Sequence, residues 1–180
     1  TALRSVTFSN ASSDDPTVNN TRTSRTVTWA VTDANSDNVG AQTSTGVTST
    51  INVTAVNDAP VVTAGATVGY TEQAAAVVID NTITIADVDD TQISGATVTI
   101  GSPVAGDTLN FTDQNGITGS YSGGVLTLSG TATKAQYETA LRSVTFSNAS
   151  SDDPTVNNTR TSRTVTWAVT DANSDNVGAQ

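Results

Sequence analysis

The stretch Ala55-Val56-Asn57-Asp58-Ala59-Pro60-Val61-Val62 decides how the rest of this chain is interpreted. Before it, residues 46–55 alternate apolar side chains with Thr, Ser and Asn, which predicts a strand. Within it, Pro60 fixes its own φ and keeps Ala59 extended, so the chain enters a second strand without a turn. Asn57 and Asp58 add oxygen-bearing side chains, which are the ligands that Ca²⁺ prefers. The stretch therefore predicts a calcium-stabilised linker between two domains.

The composition favours strands and excludes several classes of protein. Thr and Val are abundant, Asn, Asp and Gly supply turns, and good helix formers are scarce, so we expect an all-β protein. The net charge of -10 offers no basic patch for phosphates, which argues against nucleic-acid binding. No apolar run reaches the roughly 18 residues that a membrane span needs, so we expect no direct membrane insertion.

Two residue types that carry much of enzyme and metal chemistry are missing. The sequence contains no Cys and no His, which removes disulfides, thiolate sites, imidazole zinc sites and the usual general base. A carboxylate pair of the glycosidase type is the remaining catalytic option. The acidic residues lie at predicted turns and recur in repeated copies, which fits structural metal sites better. We therefore expect that the chain is not an enzyme.

A long exact repeat sets the domain organisation. Residues 1–42 and 139–180 are identical, which gives a period of 138 residues. Such identity indicates a tandem array in which each unit contacts mainly its neighbours, so neighbouring repeats are the expected partners. We place the boundary at Asn57, which makes residues 1–56 the C-terminal part of one repeat. Residues 57–180 are then the next repeat without its last strand.

Within the second repeat, the pattern predicts many short strands and one helix. The helix is predicted over residues 133–144, where Thr133 and Gln136 have the spacing of a capping box. Short strands with polar outer faces and frequent turns are typical of an immunoglobulin-like β-sandwich. The predicted strands cover residues 61–70, 76–86, 96–100, 108–112, 117–121, 125–129, 143–147 and 163–170.

Five segments in this order resemble a known family: AVNDAPVV, YTEQ, IADVDD, LTLSGTATKAQYETALRSVTFSN and VTWAVTD with its Asn/Asp-rich loop. They are similar to bacterial cadherin-like tandem repeats from the extender regions of giant RTX-type surface adhesins. The resemblance covers essentially the whole chain. It implies an immunoglobulin/cadherin-like sandwich with one short helix per repeat, Ca²⁺ as cofactor, and an extracellular location on the bacterial cell surface.

The resemblance also implies a set of calcium ligands. In the second repeat these are Asn57, Asp58, Glu72, Asp87, Asp89 and Asp171; the residues themselves add Asp90 in the same acidic turn and, as a further candidate, Asp175 in the loop after Asp171. The first repeat offers the matching Asp33 and, as a further candidate, Asp37. The residues themselves support part of this set, because three Asp in the four residues 87–90 repel one another unless a cation neutralises them. A solvated acidic turn, or an Asx-turn in the linker, is the alternative interpretation.

Two functions are compatible with these patterns. The first is a structural extender, in which Ca²⁺ stiffens the joints between repeats and so projects a distal binding region from the cell. The alternative is a repeat that is itself a glycan-binding or homophilic adhesion module, since repetition also gives multivalency. Because residues 57–180 lack a last strand, we further expect an open sheet edge and possible head-to-tail self-association between molecules.

Overall fold

The computed structural model describes residues 2–12, 15–150, 152–174 and 176–177, and its backbone forms two compact units. One unit is built chiefly from the chain up to Val56, and the other chiefly from Asn57–Ser174. The predicted repeat boundary lies at the same place, although the assignment of the units as repeats stays a prediction. None of the helices in the described ranges is long and apolar enough to cross a membrane.

The first unit is a long two-stranded hairpin with little packing. Strands β1 (Ser24–Trp29) and β2 (Val47–Asn52) pair antiparallel, and a single 3-10 turn covers Ala2–Ser5. Its larger apolar side chains stay in contact with solvent, as the 49% exposure of Leu3 illustrates. The described part of this unit therefore has no hydrophobic core of its own.

The second unit is an all-β sandwich with one short helix, which confirms the predicted fold class. Its elements are β3 (Val61–Thr63), β4 (Val77–Val78), β5 (Thr84–Ala86), β6 (Gln92–Gly101), β7 (Asp107–Asn110), β8 (Thr118–Ser122), β9 (Val125–Thr133), α1 (Lys134–Arg142), β10 (Thr145–Asn148) and β11 (Thr164–Asp171). The antiparallel sheets have the orders β11-β6-β9-β8, β4-β10-β7 and β3-β5. The core that they enclose includes Ile83, Ile93, Val98, Leu126, Leu128, Tyr137, Leu141 and Val144.

Helix α1 begins as the sequence predicts. Thr133 accepts a hydrogen bond from the Gln136 backbone N–H, and the Gln136 side chain accepts one from the Thr133 N–H, which completes the capping box. The helix then binds strand β5 through two side chains. Glu138 accepts from the Ile85 N–H at 2.9 Å, and Arg142 Nε donates to the Ile83 carbonyl at 2.7 Å. These bonds satisfy backbone groups at β5 and hold the strand in place.

The strands predicted over residues 61–70 and 76–86 are wrong in extent. Strand β3 ends at Thr63, and β4 and β5 are separated by a turn around Asp80. Asp80 is 2% exposed, and its carboxylate accepts from the N–H groups of Gly65 and Ala66 and from Thr82. In this turn, hydrogen bonds to the Asp80 side chain take the place of hydrogen bonds between paired strands. The alternation of apolar residues in the sequence does not reveal such a turn.

A buried ion pair lies where strands β7 and β11 begin. Arg163 Nε lies 2.6 Å from Asp107 Oδ2, and the Asp107 side chain is fully buried. Asn148 Nδ2 also donates to Asp107 at 2.8 Å. The pair joins two residues far apart in the sequence, because β7 brings the inward-facing carboxylate of Asp107 to Arg163.

Candidate metal centre

The acidic loop between β5 and β6 is folded around its first carboxylate. Asp87 Oδ1 accepts from the backbone N–H groups of Asp89 at 3.2 Å and Asp90 at 2.8 Å. On the other side of the loop, Lys134 Nζ donates to the carbonyl oxygens of Asp87 at 2.8 Å and Asp90 at 2.7 Å. The ammonium group therefore fixes the loop backbone and leaves the carboxylates to other partners.

The last residue of β11 completes a cluster of three carboxylates. Asp171 is fully buried, and its carbonyl accepts from Ser94 Oγ at 2.6 Å beside a bulge in β6. One carboxylate oxygen each from Asp87, Asp90 and Asp171 lies within 4.8 Å of the others. This spacing lets the three groups hold a metal ion together.

The start of the second unit is bonded to the same cluster. Asn57 Nδ2 donates to Asp171 Oδ2 at 3.1 Å, and the Asp58 backbone N–H donates to Asp89 Oδ2 at 2.8 Å. The Asp58 side chain itself is exposed, so Asp58 contacts the cluster through its backbone N–H. The structure thus brings together six of the predicted residues: Asn57, Asp58, Asp87, Asp89, Asp90 and Asp171.

Several oxygens around the cluster are buried without a hydrogen-bond donor. They include Asn57 Oδ1, Asp87 Oδ2 and Asp89 Oδ1, and Asp89 is 8% exposed. Leaving a buried polar atom unsatisfied costs about 1–3 kcal/mol, and more for a charged group. A cation bound beside these residues would supply a partner for such oxygens.

The Asp87 carboxylate lies beside two other carboxylates in a partly buried loop. Burial raises the pKa of the Asp87 carboxyl above its ordinary value, and the neighbouring Asp89 carboxylate raises it further. Such an environment disfavours the accumulated negative charge unless a cation compensates it.

Glu72 is the predicted ligand that the structure leaves outside the cluster. It lies in an exposed turn, close to Tyr70, whose hydroxyl donates to the Asn148 carbonyl. Asn148 bonds to Asp107, the partner of Arg163, at the start of β11. Eight residues separate Arg163 from Asp171, and at about 3.3 Å per residue this places the two ends about 26 Å apart. The structure does not bring Glu72 to the other predicted ligands, because β3 begins beside Asp87 and leads the chain away from the cluster.

The candidates in the first unit shape an exposed loop. Asp33 accepts from the backbone N–H groups of Asn35 at 2.9 Å and Gln42 at 3.1 Å. Asp37 accepts from the Val39 N–H at 3.2 Å. These hydrogen bonds close the loop locally. In the described part of the chain, Asp33 and Asp37 belong to no group of three acidic side chains close enough to hold a metal ion. Asp175 lies outside the described residues.

Sequence reasoning missed two residues that organise the cluster. Lys134 holds the acidic loop, and Ser174 donates to Asp90 Oδ1 through both its backbone N–H and its hydroxyl. The Ser174 hydroxyl also accepts from the Thr91 N–H at 2.9 Å. Neither residue is a metal-ligand type, so no ligand pattern in the sequence marks them.

The chemistry of the donor set restricts which metal fits. All the candidate ligand atoms are carboxylate, amide or backbone oxygens, and the sequence contains no Cys or His. Hard cations such as Ca²⁺, Mg²⁺ and Mn²⁺ prefer oxygen ligands, whereas Zn²⁺ and Cu ions prefer nitrogen and sulfur. The residues present therefore fit a hard divalent cation.

Comparison with known proteins gives one partial likeness. No family model matches the chain, and no solved structure matches it. The chain is 37% identical over 108 residues to Halomucin of Haloquadratum walsbyi (strain DSM 16790 / HBSQ001), which covers 55% of this chain and 1% of that protein. The chain is thus similar to a very small part of a very long protein.

Proposed function

We propose that this chain is part of a long extracellular protein made of tandem β-sandwich repeats, and that Ca²⁺ stiffens the joints between them. The observation that carries the proposal is the set of buried, unsatisfied oxygens of Asn57, Asp87 and Asp89 around the three clustered carboxylates. The likeness to a small part of Halomucin supports the architecture, because a protein about a hundred times longer than the matched segment accommodates many repeats.

The position of the cluster supports a role at the joint. Asn57 and Asp58 directly follow Val56, where the first compact unit ends. Both residues are bonded to the cluster through Asp171 and Asp89. A cation bound there would fix the first residues of the second unit to the ends of β5 and β11. The joint would then lose freedom of rotation when Ca²⁺ binds.

Calcium is favoured over magnesium by the number and kind of oxygens. Ca²⁺ takes six to eight oxygen ligands at about 2.3–2.6 Å in flexible geometry, and it accepts amide and backbone oxygens together with carboxylates. Mg²⁺ demands a near-ideal octahedron at about 2.0–2.1 Å and keeps several waters. A cluster that combines Asp side chains with the Asn57 amide oxygen suits the larger ion.

Calorimetric titration and small-angle scattering of the full chain test the proposal. Titration with CaCl₂ should show saturable binding, and MgCl₂ should bind at least about tenfold more weakly, a difference of about 1.4 kcal/mol. Scattering in Ca²⁺ should show a longer and more rigid particle than scattering in EGTA. The unfolding temperature of the second unit should also rise with Ca²⁺, because the ion binds the native state.

Asp89→Ala is the informative variant, and Asp152→Ala is its matched control on an exposed turn. The first should weaken Ca²⁺ binding and remove the difference between the two scattering profiles, while the second should leave both unchanged. Ca²⁺ binding without any change in scattering would retain the metal site and refute the role at the joint. No binding by the wild type would refute both.

A further inference from the structure

Helix α1 binds the chain around β5 with side chains that recur every fourth residue. In its last turn Arg142 donates to the Ile83 carbonyl at 2.7 Å, and one turn earlier Glu138 accepts from the Ile85 N–H at 2.9 Å. Lys134 continues the series at the first position of the helix. Residues four apart lie on the same face of a helix, so the three side chains form one row along α1.

This row ends at the acidic loop that follows β5. Lys134 Nζ donates to the carbonyl oxygens of Asp87 at 2.8 Å and Asp90 at 2.7 Å. Alternate residues of an extended chain direct their backbone groups to the same edge, so the bonds at Ile83, Ile85 and Asp87 lie on one edge of this segment. The other edge of β5 pairs with β3. Helix α1 therefore takes the place of a further strand beside β5 and continues to the acidic loop.

The charge of Lys134 is unfavourable for a cation site. Lys134 is the single lysine of the sequence, and the carboxylates of both residues that it contacts belong to the candidate metal cluster. An ammonium group repels a divalent cation bound nearby, so its charge alone weakens metal binding. Its bonds to the two backbone carbonyls have the opposite effect, because they fix the path of the loop that carries the ligands.

The loop that Lys134 holds has its carboxylates gathered before any metal is bound. Asp87 Oδ1 accepts from the N–H groups of Asp89 at 3.2 Å and Asp90 at 2.8 Å. One carboxylate oxygen each from Asp87, Asp90 and Asp171 lies within 4.8 Å of the others. Because like charges repel, a loop without a fixed backbone would separate these groups. A cation would then have to order the loop as it binds, which lowers its affinity.

We propose that Lys134 is a positioning residue of the metal centre, whose bonds to the Asp87 and Asp90 carbonyls keep the acidic loop in the geometry that binds the cation. This effect outweighs the repulsion between the ammonium group and the metal. The inference rests on the proposed function, because it presupposes that the cluster binds Ca²⁺. Binding couplings are reciprocal, so bound Ca²⁺ also stabilises the contact between α1 and the loop.

Calorimetric titration of the full chain with CaCl₂ separates the two effects of Lys134 by their sign. Lys134→Met keeps most of the apolar stem and removes the ammonium group. Repulsion alone predicts tighter Ca²⁺ binding by this variant, whereas the proposal predicts binding at least about tenfold weaker than in the wild type. Arg142→Met is the matched control, because it removes the same charge and a bond to a carbonyl at the other end of the row. Its Ca²⁺ affinity should stay within about threefold of the wild type.

Amide hydrogen exchange in EGTA gives a second readout that involves no metal. In the wild type the N–H groups of Asp89 and Asp90 should exchange slowly, because both donate to Asp87 Oδ1 in the loop that Lys134 holds. In Lys134→Met the same two groups should exchange at least about tenfold faster, and in Arg142→Met their rates should stay within about threefold of the wild type.

The results that would overturn the inference differ from those that would refute the proposed function. Unchanged or tighter Ca²⁺ binding by folded Lys134→Met, or an equal loss of affinity in Arg142→Met, would overturn the inference alone. No Ca²⁺ binding by the wild type would refute the proposed function and the inference with it. If Lys134→Met does not fold, the wild type decides, since exchange of the Asp89 and Asp90 N–H groups in EGTA at the rate of an unstructured chain would overturn the inference.

Discussion

Residues 1–42 and 139–180 have one sequence and two structural outcomes in the ranges that are described. In the second copy Leu141 and Val144 are fully buried, whereas their counterparts Leu3 and Val6 are 49% and 59% exposed. The second copy follows residues 57–138, which supply β6, β7 and β9 as packing partners. The first copy packs against β2. The comparison shows that apolar residues of the repeated segment become buried where neighbouring strands pack against them.

Some features are nevertheless the same in both copies. Asp15 and Asp153 each accept hydrogen bonds from the Thr two residues later, through its N–H and its hydroxyl. Arg25 and Arg163 each donate to the carbonyl of the proline nine residues earlier, at 2.6 Å and 2.7 Å. These contacts span at most nine residues, so the local sequence is sufficient to specify them.

The helix falls between these two cases. Its capping box uses Thr133 and Gln136, which lie before the repeated segment 139–180. Residues Ala2–Ser5 form a 3-10 turn where the second copy has the end of α1. In the second copy the capped first turn supplies the nucleus from which the helix propagates.

The largest expected effect on the free energy of unfolding concerns Arg163 and Arg25, which occupy the same position in the two copies. Arg163→Ala leaves the buried Asp107 carboxylate without its cationic partner and should destabilise the second unit by about 3–5 kcal/mol. Arg25→Ala removes bonds to carbonyl oxygens on an exposed hairpin and should change the same transition by less than about 0.5 kcal/mol. Urea unfolding monitored by Trp167 fluorescence, in chains that carry Trp29→Phe, measures both. Equal losses would mean that the two copies share one environment.

The next effect concerns packing. Leu141→Ala should cost about 2–5 kcal/mol, because it leaves a cavity between α1 and the sheets. Leu3→Ala, at the identical position of the first copy, should fall within about 0.5 kcal/mol of the wild type. The same urea experiment applies. A comparable loss for Leu3→Ala in this transition would contradict the difference in environment between the two copies.

A smaller effect depends on pH. The hydrogen bonds from Thr82, and from the Gly65 and Ala66 N–H groups, hold the pKa of Asp80 far below its ordinary value of 3.8. A lowered pKa in the folded state stabilises above the unfolded value, and this contribution disappears as pH falls below about 4 through the folded pKa.

Asp80→Asn should therefore lower stability at pH 7 by about 1–3 kcal/mol and make the acid limb of the stability curve less steep. Asp152→Asn, on an exposed turn, is the control. The free energy of unfolding measured between about pH 2 and pH 7 checks the prediction, and an acid limb as steep as that of the wild type would contradict it.

The sequence predicted what depends on short-range patterns and missed what depends on buried polar side chains. Alternation and capping spacing identified the all-β class, the helix start and strands such as β9 and β11. Three Asp in four residues, together with the linker, identified most of the metal cluster. Asp80 and Asp107 were missed because several of their donors come from other segments of the chain, and Glu72 was misplaced because β3 leads the chain away from the cluster. Lys134 supports the cluster through bonds to backbone carbonyls and Ser174 through its N–H and hydroxyl, and residue type alone does not reveal either role.

The most direct test of the metal centre uses the same comparison. Asp171 and Asp33 occupy identical positions in the two copies, but Asp171 is buried in the carboxylate cluster and Asp33 closes an exposed loop. Unfolding of the second unit is measured in EGTA and then with free Ca²⁺ at about a hundred times its dissociation constant. The wild type and Asp33→Asn should both gain about 2.7 kcal/mol, and Asp171→Asn should gain far less at the same Ca²⁺ concentration. Equal gains for the two variants, or no gain for the wild type, would contradict the account.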